Sequence, residues 1–404
     1  MNLKHTEVGL MDSGELRLPS STCVLCLCQA LNLTAAIVSV TVAALVGEQL
    51  APHPVWSTLP YGVQFAVVAL LTYPASVFMR RFGRRAGFML GATMLIAAGC
   101  VGFAAIERSR FAGLVLAHGL LGAYVAFANF YRFAAVDRLS AALRPRGLSL
   151  VVAGGVLAAF IGPWLSMGLG SVEGYAPFAL CYASFCAIGF CTMILLGLWK
   201  RAPAMPTTNA ASTKEIEQHV IAPIAAAVFS SASAYLIMNL LMVQASLVMN
   251  SMGVGFHAGT WAIQGHVLAM FVPSFATGLV INRLGYRATL CGGFLLLIAA
   301  TLLAFVGLGG FSAMLAGLIL LGVGWNFSYI GGGALLAKYL TDENRHRMQG
   351  INDSIIAISA TVGAFVPALL QALVGWRNTN LLCLLICIFG FVLAWHATGK
   401  ASLD

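Results

Sequence analysis

The stretch FMRRFGRRAGF at residues 78–88, set beside GLVINRLGYR at 278–287, decides the fold. Arg80, Arg81, Arg84 and Arg85 crowd one short segment of a chain in which only 9% of residues are charged, and Arg-x-Gly-x-Arg returns about two hundred residues later. Each copy lies between two apolar runs. A helix ending at the cytoplasmic face presents unsatisfied carbonyls and the negative end of its dipole, which favour Arg, and Gly supplies the left-handed turn that reverses the chain. Recurrence of the phrase implies recurrence of the unit around it.

With 60% hydrophobic residues and a mean hydropathy of +0.91, the chain cannot build the surface of a soluble domain, where about 25% of residues are charged. Runs such as TLPYGVQFAVVALLTYPASVF (58–78) and LLCLLICIFGFVLAW (381–395) approach or reach the ~20 residues that cross a bilayer. The class is a polytopic membrane protein. Residues 1–22 hold Glu7, Asp12 and Glu15 and have neither a basic n-region nor a cleavage site, so they are expected to be a cytoplasmic tail. The net charge of +9 is scattered through short loops, which points to topology and not to nucleic acid. Most of the ten cysteines stand alone in apolar runs and read as small hydrophobes. Cys23, Cys26 and Cys28 also read as packing, with soft-metal ligation the weaker alternative because such metals need several ligands. No cofactor or metal is expected.

Apolar runs bounded by Gly, Pro, Asn and charge give twelve expected helices, near 23–47, 58–79, 88–106, 111–136, 149–170, 176–199, 220–249, 259–281, 288–306, 312–337, 352–374 and 379–398. The polar stretch KRAPAMPTTNAASTKEIEQH (200–219) reads as a cytoplasmic linker between bundles at 23–199 and 220–398, and 399–404 as a second tail. With the N-terminus inside, eighteen of the 22 Lys and Arg fall in the tails and cytoplasmic loops, and only Arg108, Arg110 and Arg377 fall outside. This places both termini in the cytoplasm by the positive-inside rule. The halves repeat: Gly83 matches Gly285, LLG at 120–122 matches LLG at 320–322, and Pro163 matches Pro367. Parallel duplication of a six-helix unit is the architecture of one large transporter fold.

On these residues the chain resembles the major facilitator superfamily over nearly its whole length. The family's loop signature is Gly-x-x-x-Asp-Arg-x-Gly-Arg-Arg. The first copy has Ser76 and Arg80 in place of the leading Gly and the Asp but keeps Arg81, Gly83, Arg84 and Arg85; the second keeps Gly278, Arg283, Gly285 and Arg287, with Asn282 at the Asp position. His118 stands where the family's fourth helix carries an Arg, and Gly162-Pro163 is similar to the core of an antiporter signature. The resemblance implies twelve helices, alternating access and a cytoplasmic gate made by these loops. In the family the signature Asp approaches the start of the eleventh helix; here Arg80 replaces it and Asp353 opens that helix, so the two are expected to pair across the gate when the inside is closed, with simple capping of that helix by Asp353 as the alternative.

Polar side chains within spans are candidates for function, because a charge at the bilayer centre costs ~2.5–3.5 kcal/mol on insertion scales. Arg132 is the sharpest, as an anion-binding residue or a snorkelling one. Gln29, Asn32, Asn129, Asn239, Gln244, Gln264, His266, Trp325, Asn326 and Tyr329 complete the expected substrate set, each with interhelical hydrogen bonding as its alternative. The spans hold no central carboxylate, so proton coupling would fall to Glu48, His118, Asp137 or His266; protons are a candidate coupling ion and facilitated diffusion is the alternative. No metalloprotease, hydrolase-elbow or P-loop motif is present. The reading is therefore a monomeric, non-enzymatic secondary transporter of an anionic or amphipathic metabolite in the bacterial inner membrane. A multidrug exporter and a non-transporting sensor are the alternatives.

Overall fold

The computed structural model of the protein describes residues 19–136, 144–199, 218–305, 310–340 and 345–399. The expected tails and linker lie largely outside these residues, and Asp137 lies wholly outside them. Among the described residues fourteen α-helices follow one another: α1 (Ser20–Leu50), α2 (Leu59–Phe82), α3 (Arg84–Glu107), α4 (Phe111–Ala128), α5 (Tyr131–Val136), α6 (Arg144–Leu169), α7 (Ala179–Leu198), α8 (Gln218–Ser251), α9 (Phe256–Phe271), α10 (Ser274–Phe305), α11 (Phe311–Tyr339), α12 (Arg345–Phe365), α13 (Pro367–Leu373) and α14 (Gly375–Gly399). Among the described residues nine helical segments are long and apolar enough to cross a membrane, and α12 with α13, bent by 49°, makes a tenth.

All twelve expected runs are occupied by helix, but three are broken where single rods were expected. Run 111–136 divides at Asn129 and Phe130 into α4 and α5, and run 352–374 divides at Val366 into α12 and α13. Run 259–281 divides at Val272 and Pro273, since Pro has no N–H and its ring crowds the preceding turn. That leaves α9 too short to span alone. The helix after the break, α10, passes Gly285, whose φ of 81° is non-helical, so α10 is two helices meeting at a corner. Gly83, with φ of 90°, makes the same corner between α2 and α3. Both Arg-x-Gly-x-Arg phrases thus carry a left-handed glycine.

Helices in lipid associate through close packing at small residues more than through hydrophobic drive. A Cβ on Gly122 of α4 would overlap the backbone carbonyl of Gln64 in α2, and a Cβ on Gly322 of α11 would overlap that of His266 in α9. These two contacts are copies one repeat apart, so the duplication reaches individual helix crossings. Buried apolar side chains form one cluster around Phe88, Tyr124, Tyr182 and Phe185, and a second around Ile237, Phe294 and Leu297. A third draws on both sides, joining Ile37, Tyr61 and Ala158 to Met238, Met242 and Trp325. Cys26 and Cys28 are buried in α1, whereas Cys23 is exposed.

The third cluster sits where α2 meets α12, α6 meets α9 and α1 meets α8. Beyond it, at one end of the bundle, Asn250 Nδ2 donates to Glu48 Oε2 at 2.9 Å and Thr58 Oγ1 donates to the Phe365 carbonyl at 3.0 Å. The rings of Phe178 and Phe256 meet edge to face there at 4.9 Å. At the opposite end Arg80, Arg81, Arg84, Arg283 and Asp353 are exposed. Among the described residues Asp353 accepts from its neighbour Asn352 at 3.2 Å and forms no ion pair with Arg80.

Candidate functional site

Trp325 and Tyr329 lie one turn apart on α11, which brings their rings onto one face. The rings stack at 4.9 Å and 19°, and Tyr235 of α8 meets both edge-on, at 5.2 Å from Trp325 and 5.0 Å from Tyr329. Ser231, a turn before Tyr235, donates to the Tyr329 carbonyl. Edge-to-face and offset contacts of this kind suit the ring quadrupoles and fix ring orientation. The trio belongs to the cluster shared by the two sides, next to Met238 and Met242 and opposite Tyr61 and Phe65, whose rings also meet edge to face at 5.1 Å. Trp325 is 4% exposed, and its Nε1 has no hydrogen-bond partner among the described residues.

Across the interface, Gln29 continues along α1 the row Leu33, Ile37, Val40 and Ala44 that faces this cluster. Gln29 Oε1 and Asn32 Oδ1 are both buried and both without a hydrogen-bond partner among the described residues. Buried polar atoms are ordinarily paired, and each exception asks for an explanation. Gln29 Oε1 on α1 and the indole N–H on α11 are thus the unpaired acceptor and donor at the shared cluster, whereas Asn32 lies on the row of Cys28, Ala35 and Val42, which faces the cluster around Phe88.

Other expected site residues tie helices together. Asn326 is fully buried; its Nδ2 donates to Met270 O and Ser274 Oγ, and its Oδ1 accepts from Thr277 Oγ1. These are the groups flanking Pro273, so Asn326 satisfies a carbonyl released by the break between α9 and α10. Asn239 Nδ2 donates to Ala360 O in α12 at 3.0 Å, and Gln244 Nε2 donates to Gln371 Oε1 at 2.7 Å. His266 Nδ1 donates to Leu318 O of α11 at 2.7 Å, with the ring fully buried. Gln264 is half-buried on α9, and Asn129 is half-buried at the break after α4. Arg132 lies in α5, with its side chain outside the described residues.

His118 joins a sealed network of four helices. Gln64 Oε1 accepts from Ser39 Oγ at 2.8 Å and from His118 Nδ1 at 3.0 Å, which leaves Nε2 to accept from Tyr182 OH at 2.7 Å. Glu48, in contrast, is exposed and bridges α1 to α8 through Asn250. Tyr235, Tyr61, Phe65, Gln64 and Asn250 are missing from the expected set. Tyr235 follows five small residues in SSASAYL, but only its partners on α11 give it a role.

A family model for the Major Facilitator Superfamily matches residues 227–401. The riboflavin transporter RfnT of Brucella anthropi is 33% identical over 362 residues, covering 88% of this chain and 90% of that protein. The chain belongs to the major facilitator superfamily. Solved superfamily folds agree: a bacterial homologue of the human lysosomal transporter Spinster, inward-facing and occupied, has a TM-score of 0.70 at 14% identity, covering 93% of this chain and 96% of that one. A D-xylose–proton symporter also has a TM-score of 0.70, at 12% identity and the same coverage. This superfamily member is a multi-pass membrane transporter of a small organic solute.

Proposed function

We propose that the solute is a flat heteroaromatic metabolite with a polar side chain, of the riboflavin type, bound between the two six-helix halves. The observation that carries this reading is the stacked Trp325–Tyr329 pair with Tyr235 edge-on, placed in the core shared by the halves. Ring-on-ring contact is sequence-tolerant in general, but a stacked platform favours ligands with extended π faces. The unpartnered oxygen of Gln29 is suited to accept from a hydroxyl of a polyol chain. Likeness to a riboflavin transporter supports the same solute class, and its bacterial source supports an inner-membrane location. Purified protein should be stabilised by riboflavin, by about 2.7 kcal/mol at a hundredfold excess over Kd. D-xylose, which lacks an aromatic face, should leave Tm in place. An unchanged Tm with riboflavin, or an equal shift with the sugar, would defeat the assignment.

The contacts made by Glu48, Thr58 and Phe178 close one end of the interface. The distribution of Lys and Arg supports assigning that end to the outside. Arg80 and Asp353 are assigned to the other gate, where they approach when the inside closes. Arg80→Asp and Asp353→Arg should each impair transport, and the double exchange should restore part of it. Strictly additive losses at equal expression would reject the pairing.

A further inference from the structure

The corner at Gly285 opens onto a cavity of about 470 Å³ between α10, the end of α11 and the end of α14, away from the interface of the halves. Tyr286, Arg287, Cys291, Leu335, Lys338 and Trp395 line it. The Arg287 guanidinium stacks on the Trp395 indole, 3.6 Å from the ring centroid, and Arg287 Nε is buried without a hydrogen-bond partner among the described residues. Lys338 Nζ stands 5.7 Å from the Tyr286 ring centroid. None of the four described carboxylates, Glu48, Glu107, Glu173 and Asp353, lines the cavity. Asp342 and Glu343, which follow α11, lie outside the described residues.

The duplication supplies an internal comparison. Arg85 holds the matching position in the first copy, and there Nη2 donates to the Gly197 carbonyl at 2.9 Å, tying α3 to the end of α7. With the offset of 200 that LLG sets for α4 and α11, Lys338 matches Arg138, which lies outside the described residues, and among the described residues no ring stacks on Arg85 as Trp395 does on Arg287. In the second copy the arginine makes no such tie. Stacking on an aromatic face leaves the N–H edge of a guanidinium free, and that edge forms a planar fork matched to phosphate oxygens.

We propose that this cavity binds the phosphodiester head of an anionic phospholipid. A phosphate oxyanion would accept from the Nη edge of Arg287, whose Nε is buried against the indole, and would lie beside Lys338. Leu284, 66% exposed, and Trp395, 48% exposed, border the cavity with apolar surface that an acyl chain covers and a free ion does not. Basic pockets between helices at a membrane face suit such heads. The assignment does not depend on which solute is transported.

Short-chain phosphatidylglycerol added to the purified full-length protein in detergent should bind saturably and raise Tm, while phosphatidylcholine of equal chain length should do neither. The double variant R287Q/K338Q should bind phosphatidylglycerol about tenfold or more weakly, the loss expected for one or two charged hydrogen bonds. R85Q should retain wild-type affinity. K338Q alone, at an exposed position, should weaken binding several-fold and keeps the claim testable if Arg287 variants do not fold. Wild-type affinity in the double variant, or in K338Q where the double variant does not fold, or equal binding of phosphatidylcholine, would overturn the assignment. Displacement of the lipid by millimolar inorganic phosphate would assign the site to a free anion and overturn it as well.

Discussion

Trp325→Ala is expected to weaken riboflavin binding by roughly 5- to 150-fold, since loss of one aromatic platform beneath a flat base costs ~1–3 kcal/mol. Trp325 is the most enclosed ring of the trio, with Tyr329 stacked on it and Tyr235 against its edge. Trp325→Phe keeps a ring and should retain most of the affinity, which separates loss of the platform from loss of the fold. Titration of both variants by calorimetry reads the difference. Wild-type affinity in a folded Trp325→Ala protein would place the solute elsewhere.

Gly62→Val should reduce turnover by an order of magnitude or more while changing solute affinity little. Gly62, in the first turn of α2, is buried where α2 crosses α12, and a Cβ there would overlap the Phe365 ring. The neighbouring Thr58 hydroxyl is bonded to the Phe365 carbonyl, so the two helices cannot yield there without losing that contact. Overpacking typically costs ~1–3 kcal/mol. Because the cost falls only on the arrangement in which this end is closed, it shifts the population toward the separated state by its differential value. Turnover in proteoliposomes and equilibrium binding in detergent, measured on the same preparation, check the split. Wild-type turnover would show that this end need not close as seen.

The corner glycines and the duplication were legible because they depend on local facts: a left-handed residue, a basic loop and apolar runs on either side. The breaks were not: Asn129 is a weak helix breaker, and Pro273 and Pro367, which disfavour helix at the residue before them, stand inside continuous apolar runs and so read as kinks within one span. Trp325 and Tyr329 could be picked out by their spacing on one helix. Their third partner could not, because Tyr235 meets them from a helix ninety residues away in sequence. Asn326 shows the same limit from the other side. Its amide stands beside Trp325 in the chain, yet the neighbouring residue on a helix points a hundred degrees away, and here that direction leads to the break at Pro273. The Gln64–His118–Tyr182 network likewise needs three helices at once.

Passage of the proposed riboflavin-type solute across the Trp325 platform is read by counterflow: purified protein is reconstituted into liposomes preloaded with unlabelled riboflavin, and entry of labelled riboflavin is followed with time. Saturable, transient accumulation that requires the internal pool and is suppressed in Trp325→Ala is the expected result. Labelled riboflavin entering no faster than into protein-free liposomes, from a preparation shown to be folded, would contradict it.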